Sequence, residues 1–133
     1  MARFAIDPRT LLVLVEDRHT VHPNHQLVAP NSIRSRALDL LLEQVANNER
    51  SEDDALQLHE RMTELKMRLL GDRVSRRTAW QIARQLGWKS ILDAEYLAVA
   101  KLQADALVTV DRELAAKAAG IVAIAELKDV LAR

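Results

Sequence analysis

Short apolar segments that end at aspartate or proline constrain the fold of this chain most strongly. Each is too short for a buried helix, and segments with helical patterns separate them. Strands that are apolar on both faces and alternate with helices are typical of a parallel sheet covered on both sides. The sequence therefore predicts an α/β fold, a three-layer α/β/α domain with a short central parallel sheet flanked by helices, as one domain over residues 1–133. The clearest segments are Arg3–Ile6 before Asp7, Leu27–Ala29 before Pro30, and Ala106–Val110 before Asp111.

The intervening segments carry apolar side chains at the three-to-four residue spacing of a buried helix face. Capping residues and Gly or Pro mark their ends. A last strand is predicted at residues 121–123 and a closing helix at 125–131. The predicted helices begin after Asp7-Pro8, at Ser32, at Ser51 (continuing through Leu69), at Ser75, at Ser90 and at Arg112.

Composition excludes several classes of protein. The 19 basic and 19 acidic side chains balance, which argues against a polybasic nucleic-acid binder, and 49% hydrophobic residues argue against a disordered acidic chain. Aromatic residues make up only 3%, so a fold that stacks RNA bases on several aromatic rings is disfavoured. The chain has no cysteine, which excludes disulfides, Cys-based zinc sites and a thiol nucleophile.

The sequence pattern predicts neither a signal peptide nor a membrane helix. Asp7 comes too early for a signal peptide, and the strongly apolar stretch Leu11–Val15 is far shorter than a membrane helix. The three glycines form no phosphate-binding loop. We expect a soluble cytoplasmic protein with no membrane association.

Three carboxylates occupy related positions in the predicted fold. Asp7 and Asp111 each follow a strand, and Asp93 lies in the first turn of a helix. Carboxylates at the carboxyl ends of parallel strands can meet around a hard divalent cation such as Mg²⁺. Asp7 and Asp111 are also good N-cap residues, and Asp93 would complete a capping box with Ser90. Spacing alone leaves both a metal site and simple capping open.

Three segments resemble a known family: Phe4-Ala5-Ile6-Asp7, the DAEYLAVA run from Asp93, and the LVTVDREL run from Leu107. Together they resemble the PIN domain, and more narrowly the VapC-type toxin ribonucleases of bacterial toxin–antitoxin pairs. The similarity covers essentially the whole chain.

The resemblance implies an endoribonuclease that depends on Mg²⁺, with Mn²⁺ as an alternative, and hydrolyses RNA phosphodiester bonds. It also implies a cognate antitoxin partner and a homodimer. Asp7, Asp93 and Asp111 would be the catalytic metal-site carboxylates, with Asp7 and Asp93 as the direct ligands. The Thr109 hydroxyl would lie near the same cavity.

The chain departs from the PIN pattern at one position. A fourth acid is expected on the helix that follows the second strand, and Arg36 stands there instead. Asp39, one turn further on, is an alternative metal ligand, and Arg36 is a candidate contact to an RNA phosphate. The departure also leaves open a degraded site in a PIN-like domain that acts mainly as a binding or regulatory module.

Other charged clusters have weaker interpretations. Arg73, Arg76 and Arg77 surround a predicted helix start, which is either a solvated surface or an RNA-phosphate contact. The histidines of the loop before Pro30 lack a carboxylate pattern and are interpreted as structural. A phospho-acceptor receiver domain has similar length and strand-end acids, but it needs a pair of acids where Asp7 stands alone.

Overall fold

A sheet of five parallel strands lies at the centre of the computed structural model, which describes residues 1–132. The strand order is β3-β2-β1-β4-β5, and each neighbouring pair is parallel. Order and direction confirm the predicted parallel sheet. The strands are β1 (Arg3–Ile6), β2 (Gln26–Pro30), β3 (Arg68–Leu70), β4 (Ala106–Val108) and β5 (Ile124–Ala125).

Within residues 1–132, six α-helices and one short 3₁₀ turn accompany the strands. Several begin where the sequence places a capping side chain: Asp7, Ser51 and Asp111 each accept a hydrogen bond from a backbone N–H of the following turn. None of these helices is long and apolar enough to cross a membrane within the described part of the chain. The helices are α1 (Pro8–Glu16), α2 (Ile33–Ala46), α3 (Glu52–Glu64), α4 (Arg73–Leu86), α5 (Leu92–Gln103) and α6 (Arg112–Ala118), with the 3₁₀ turn at Leu127–Asp129.

Alternate side chains of each strand enter two separate cores, as the two-residue period of a strand requires. Phe4 and Ile6 pack with the apolar faces of α1, α2 and α3. Ala5 lies between them in sequence and packs on the other side, with α4, α5 and α6. The same alternation occurs in β2 and β4. Helices therefore cover both faces, which confirms the three-layer α/β/α architecture.

The sheet order reverses direction between β1 and β4. From β1 the chain builds outwards through β2 to β3, and it then returns to add β4 and β5 on the other side. In an open parallel sheet the connecting loops diverge at such a point, and ligands bind in the crevice outside the carboxyl ends of the two strands. Asp7 follows β1, and Thr109 follows β4.

The prediction that the α3 helix continues through Leu69 is wrong. The helix ends at Glu64, Leu65 has an extended backbone, and Arg68–Leu70 form the edge strand β3. Leu65 and Leu69 have the four-residue spacing of a helix face, so local pattern favoured the helix. Pairing of Leu69 with Ala29 of β2, a contact distant in sequence, overrides it.

Four smaller boundaries also differ. Strand β4 ends at Val108 rather than at Val110, whose backbone N–H donates to the Thr10 hydroxyl oxygen instead of to a strand. The fourth helix begins at Arg73 rather than Ser75, because Asp72 is the N-cap and Ser75 donates its backbone N–H to that side chain. Residues 121–123 lie in the turn after α6, and the last strand lies at Ile124–Ala125, in register with β4. The predicted closing helix at 125–131 is reduced to the 3₁₀ turn, since its first residue belongs to β5.

Candidate active site

Asp7 lies at the carboxyl end of β1 and is only 3% exposed. Its Oδ1 atom accepts the backbone N–H of Thr10 at 3.3 Å, which caps α1, and it also accepts the Thr10 hydroxyl. The Thr109 hydroxyl lies close enough to lower the pKa of the same carboxyl group. The Thr10 hydroxyl oxygen in turn accepts the backbone N–H of Val110 at 3.0 Å. The two strand ends are therefore joined through the Asp7 carboxylate.

The surroundings of Asp7 disfavour its charged form. Burial raises the pKa of the Asp7 carboxyl above its ordinary value, and the hydrogen bonds from Thr10 and Thr109 oppose that shift only in part. A buried carboxyl with a raised pKa is typical of functional sites. A cation beside it would favour the ionised form again.

Thr109 and Asp111 form the start of the loop after β4. The Thr109 hydroxyl oxygen accepts the backbone N–H of Asp111 at 3.0 Å. The Asp111 Oδ1 atom accepts the N–H groups of Glu113 and Leu114 at 3.0 and 3.2 Å and so caps α6. Its Oδ2 atom lies 3.8 Å from Nε of Arg9. The capping interpretation of Asp111 is thus confirmed, and its second oxygen faces a cation of α1.

Asp93 is an exposed residue in the first turn of α5. The N-cap of this helix is Ile91, and the Ser90 hydroxyl accepts the N–H of Leu92 at 3.2 Å. Among residues 1–132, no hydrogen bond or salt bridge engages the Asp93 side chain. Capping therefore does not account for Asp93, and its carboxylate is available to a ligand.

Tyr96 is a site residue that the sequence analysis did not select. It lies one helical turn after Asp93, is 1% exposed, and its hydroxyl has no hydrogen-bond partner among the described residues. Burial raises the pKa of the Tyr96 hydroxyl, the charge of Arg36 opposes this, and the charges of Asp7, Glu95 and Asp93 add to it. The unpaired hydroxyl therefore lies within electrostatic reach of both candidate ligands, Asp7 and Asp93. One sequence signal could have identified Tyr96: it belongs to the DAEYLAVA run and lies on the same helix face as Asp93.

Arg36 and Asp39, the two candidates on α2, are placed differently. Arg36 is half-buried and lines a cleft with Asp93. Asp39 is exposed and does not line that cleft. The structure thus brings the arginine, rather than the aspartate, to the neighbourhood of the candidate ligands.

The cluster of Arg73, Arg76 and Arg77 is exposed at the start of α4. The Arg76 guanidinium donates to the carbonyl oxygen of Gly71 at 3.4 Å. None of the three arginines lines the cleft beside Asp93. Sequence reasoning missed the cations that do line it, Lys89 and Lys117.

The candidate ligands fit a divalent cation that keeps several water molecules better than one coordinated only by protein side chains. Within residues 1–132, no group of three or more histidine, aspartate and glutamate side chains is close enough to hold a metal ion. Mg²⁺ commonly keeps several water ligands and binds through one or two carboxylates. Asp7 and Asp93 are carboxylates of this kind, and the Tyr96 hydroxyl has no hydrogen-bond partner among the described residues and is free to donate to a ligand.

Comparisons with known proteins agree on the fold. No protein-family model and no curated protein matches the sequence. The crystal structure of PAE2754 from Pyrobaculum aerophilum is similar with a TM-score of 0.67 and 21% identity, over 96% of this chain and 92% of that chain. The structure of VapBC-1 from nontypeable Haemophilus influenzae is similar with a TM-score of 0.60 and 14% identity, over 93% and 97%. The chain therefore shares its fold with these two proteins, which agrees with the PIN-like α/β fold that its three sequence motifs predicted.

Proposed function

We propose that this chain is a metal-dependent endoribonuclease of the PIN-toxin type, which hydrolyses RNA phosphodiester bonds. The observation that carries the proposal is the position of Asp7, which is buried and hydrogen-bonded to Thr10 where the sheet order reverses. Among residues 1–132 the Tyr96 hydroxyl has no hydrogen-bond partner, and the charges of both Asp7 and Asp93 act on it. The fold similarity to VapBC-1 supports the same assignment.

Each residue has a distinct role in this proposal. Asp7 and Asp93 would hold Mg²⁺ or Mn²⁺, which when bound lowers the pKa of a water ligand and stabilises charge on the phosphate. The Thr10 hydroxyl fixes the orientation of the Asp7 carboxylate. Asp111 fixes the loop that carries Thr109, because it caps α6 and faces Arg9.

The partners are part of the same proposal. A cognate antitoxin protein, a homodimeric state and a cytoplasmic location follow from the resemblance of the three motifs to VapC-type toxins. Coexpression of the chain with a small protein encoded beside it, followed by copurification, tests the antitoxin. Cell growth arrest by the chain alone, relieved by that protein, is the expected result.

The nuclease test compares four proteins on a panel of structured RNAs with Mg²⁺. Asp7→Asn and Asp93→Asn should each lower the cleavage rate by about 100-fold or more, because each removes an anionic metal ligand. Asp53→Asn is the matched control: Asp53 is exposed on α3, and we expect its cleavage rate to be unchanged. Equal cleavage by all four proteins, or cleavage that survives chelation, would contradict the proposal.

A second candidate function is a PIN-like binding module without catalysis. Arg36 in place of the fourth acid favours it, as does the lack of a three-residue acidic cluster among residues 1–132. Calorimetric titration with Mn²⁺ separates the two functions. Micromolar binding that is lost in Asp7→Asn supports the nuclease, whereas binding that appears only after Arg36→Glu supports the module.

A further inference from the structure

A cationic cleft of about 520 Å³ lies beside Asp93. Three cations line it: Arg36 from α2, Lys89 from the connection between α4 and α5, and Lys117 from α6. They come from segments far apart in sequence, so only the fold brings them together. A chain with formal net charge zero therefore concentrates three cations around a single concave surface.

Two of these cations have no partner within the described chain. Among residues 1–132, no salt bridge or hydrogen bond engages the side chain of Arg36 or of Lys89, whereas the Lys117 ammonium is 3.1 Å from the Glu113 carboxylate. The Lys117 ammonium also lies 5.8 Å from the ring centre of Trp88, which packs against the core. These contacts hold Lys117 at the cleft while leaving Arg36 and Lys89 free to bind an anion.

We infer that this cleft binds a phosphate group of the RNA strand next to the phosphate that is cleaved at Asp7 and Asp93. The inference rests on the proposed function and adds a substrate subsite to it. Arginine binds phosphate oxygens bidentately, and lysine acts as a mobile point charge. Asp93 lines the same cleft, so a strand bound there passes this candidate metal ligand.

The cleft explains how an acidic site attracts RNA. Asp7 and Asp93 repel a polyanion until a cation neutralises them, and adjacent positive charge offsets that repulsion. The exposed cluster of Arg73, Arg76 and Arg77 does not line the cleft. Because the cleft has the volume of a small-ligand site, a nucleotide fits it better than a folded protein surface does.

Binding of a short fluorescent single-stranded RNA, measured by anisotropy in chelator over a range of salt concentrations, tests the inference without cleavage. Lys89→Ala/Lys117→Ala should weaken binding about tenfold, and the slope of log K against log salt should fall by about 1 to 2. The matched control is Lys66→Ala/Lys101→Ala, which removes two exposed lysines outside the cleft. Lys66 precedes β3, and Lys101 lies near the end of α5. The control should change the affinity less than about twofold, as expected for charges outside the contact.

Three results would overturn the inference: no RNA binding by the unaltered chain, no loss in Lys89→Ala/Lys117→Ala, or equal losses in both double variants. Competition by polyglutamate as strong as that by unlabelled RNA would also overturn it, because the cleft would then accept an acidic protein segment. A different result would contradict the nuclease proposal alone. RNA that binds through Lys89 and Lys117 but is not cleaved with Mg²⁺ would contradict catalysis and leave the phosphate subsite standing.

Discussion

At the scale of single residues, the candidate site is built from groups that the fold leaves electrostatically unsatisfied. Asp7 is buried without a cation partner, and the Tyr96 hydroxyl is buried without a hydrogen bond in the described chain. A buried polar group without a partner destabilises a folded protein by about 1 to 3 kcal/mol. A ligand that satisfies both groups would therefore stabilise the folded protein by removing that penalty.

We expect Asp7→Asn to stabilise the metal-free protein near neutral pH. Burial raises the pKa of Asp7 in the folded state, so its contribution to stability is full below the unfolded pKa and is lost as pH rises through the folded pKa. Asparagine is equally good at the N-cap and carries no charge. Chemical denaturation in chelator should show a gain of about 1 kcal/mol near neutral pH.

The gain for Asp7→Asn should shrink as the pH falls to about 4, near the unfolded pKa of an aspartate. Asp39→Asn is the matched control, since Asp39 is exposed on α2 and should give no such pH dependence. A loss of stability in Asp7→Asn at every pH would show that the charged carboxylate is favourable where it lies.

At the scale of elements, the connection between α4 and α5 positions both Asp93 and Lys89. Helix α4 ends at Leu86 and is capped by Gly87, whose backbone is left-handed with φ of 71°. The N–H of Trp88 then donates to the carbonyl oxygen of Ala83 at 2.8 Å, which closes the helix end. This turn places Lys89 at the cleft and begins the connection to α5.

Gly87→Ala should lower the free energy of unfolding by about 1 kcal/mol, because a residue with a Cβ adopts a left-handed backbone at that cost. Space is not limiting, since no atom lies within 4 Å of the position of an added Cβ. Gly120→Ala is the control, as that glycine also has open space and lacks a positive φ. Denaturation that shows equal losses in both variants would contradict the conformational explanation.

At the scale of the whole molecule, the sheet has a stable centre and a weakly held edge. Ala5, Ile6, Val28 and Leu107 are fully buried in strands β1, β2 and β4. Strand β5 has only two residues, one of them exposed, and pairs with β4 alone. The candidate site lies at the central strands, where the backbone is most firmly held.

Amide hydrogen exchange should follow this division. We expect the slowest exchange at β1 and β4, where amides exchange only through global unfolding. Exchange at β5 and the 3₁₀ turn should be at least about 100-fold faster, because local opening there exposes little apolar surface. Mass spectrometry of peptides after timed labelling measures both. Equal protection of β5 and β1 would mean that the edge unfolds only with the core.

Much of this protein follows from its sequence alone. Buried strands that end at Asp7 and Pro30, separated by helical patterns, determined the α/β class, and local capping chemistry determined the roles of Asp7 and Asp111 at their helix starts. These features depend on residues a few positions apart. The tertiary structure decided the rest: strand β3 instead of a longer α3, the unpaired hydroxyl of Tyr96 near Asp7, and the meeting of Arg36, Lys89 and Lys117. Each of these depends on strand order and on packing between segments distant in sequence, which local spacing does not specify.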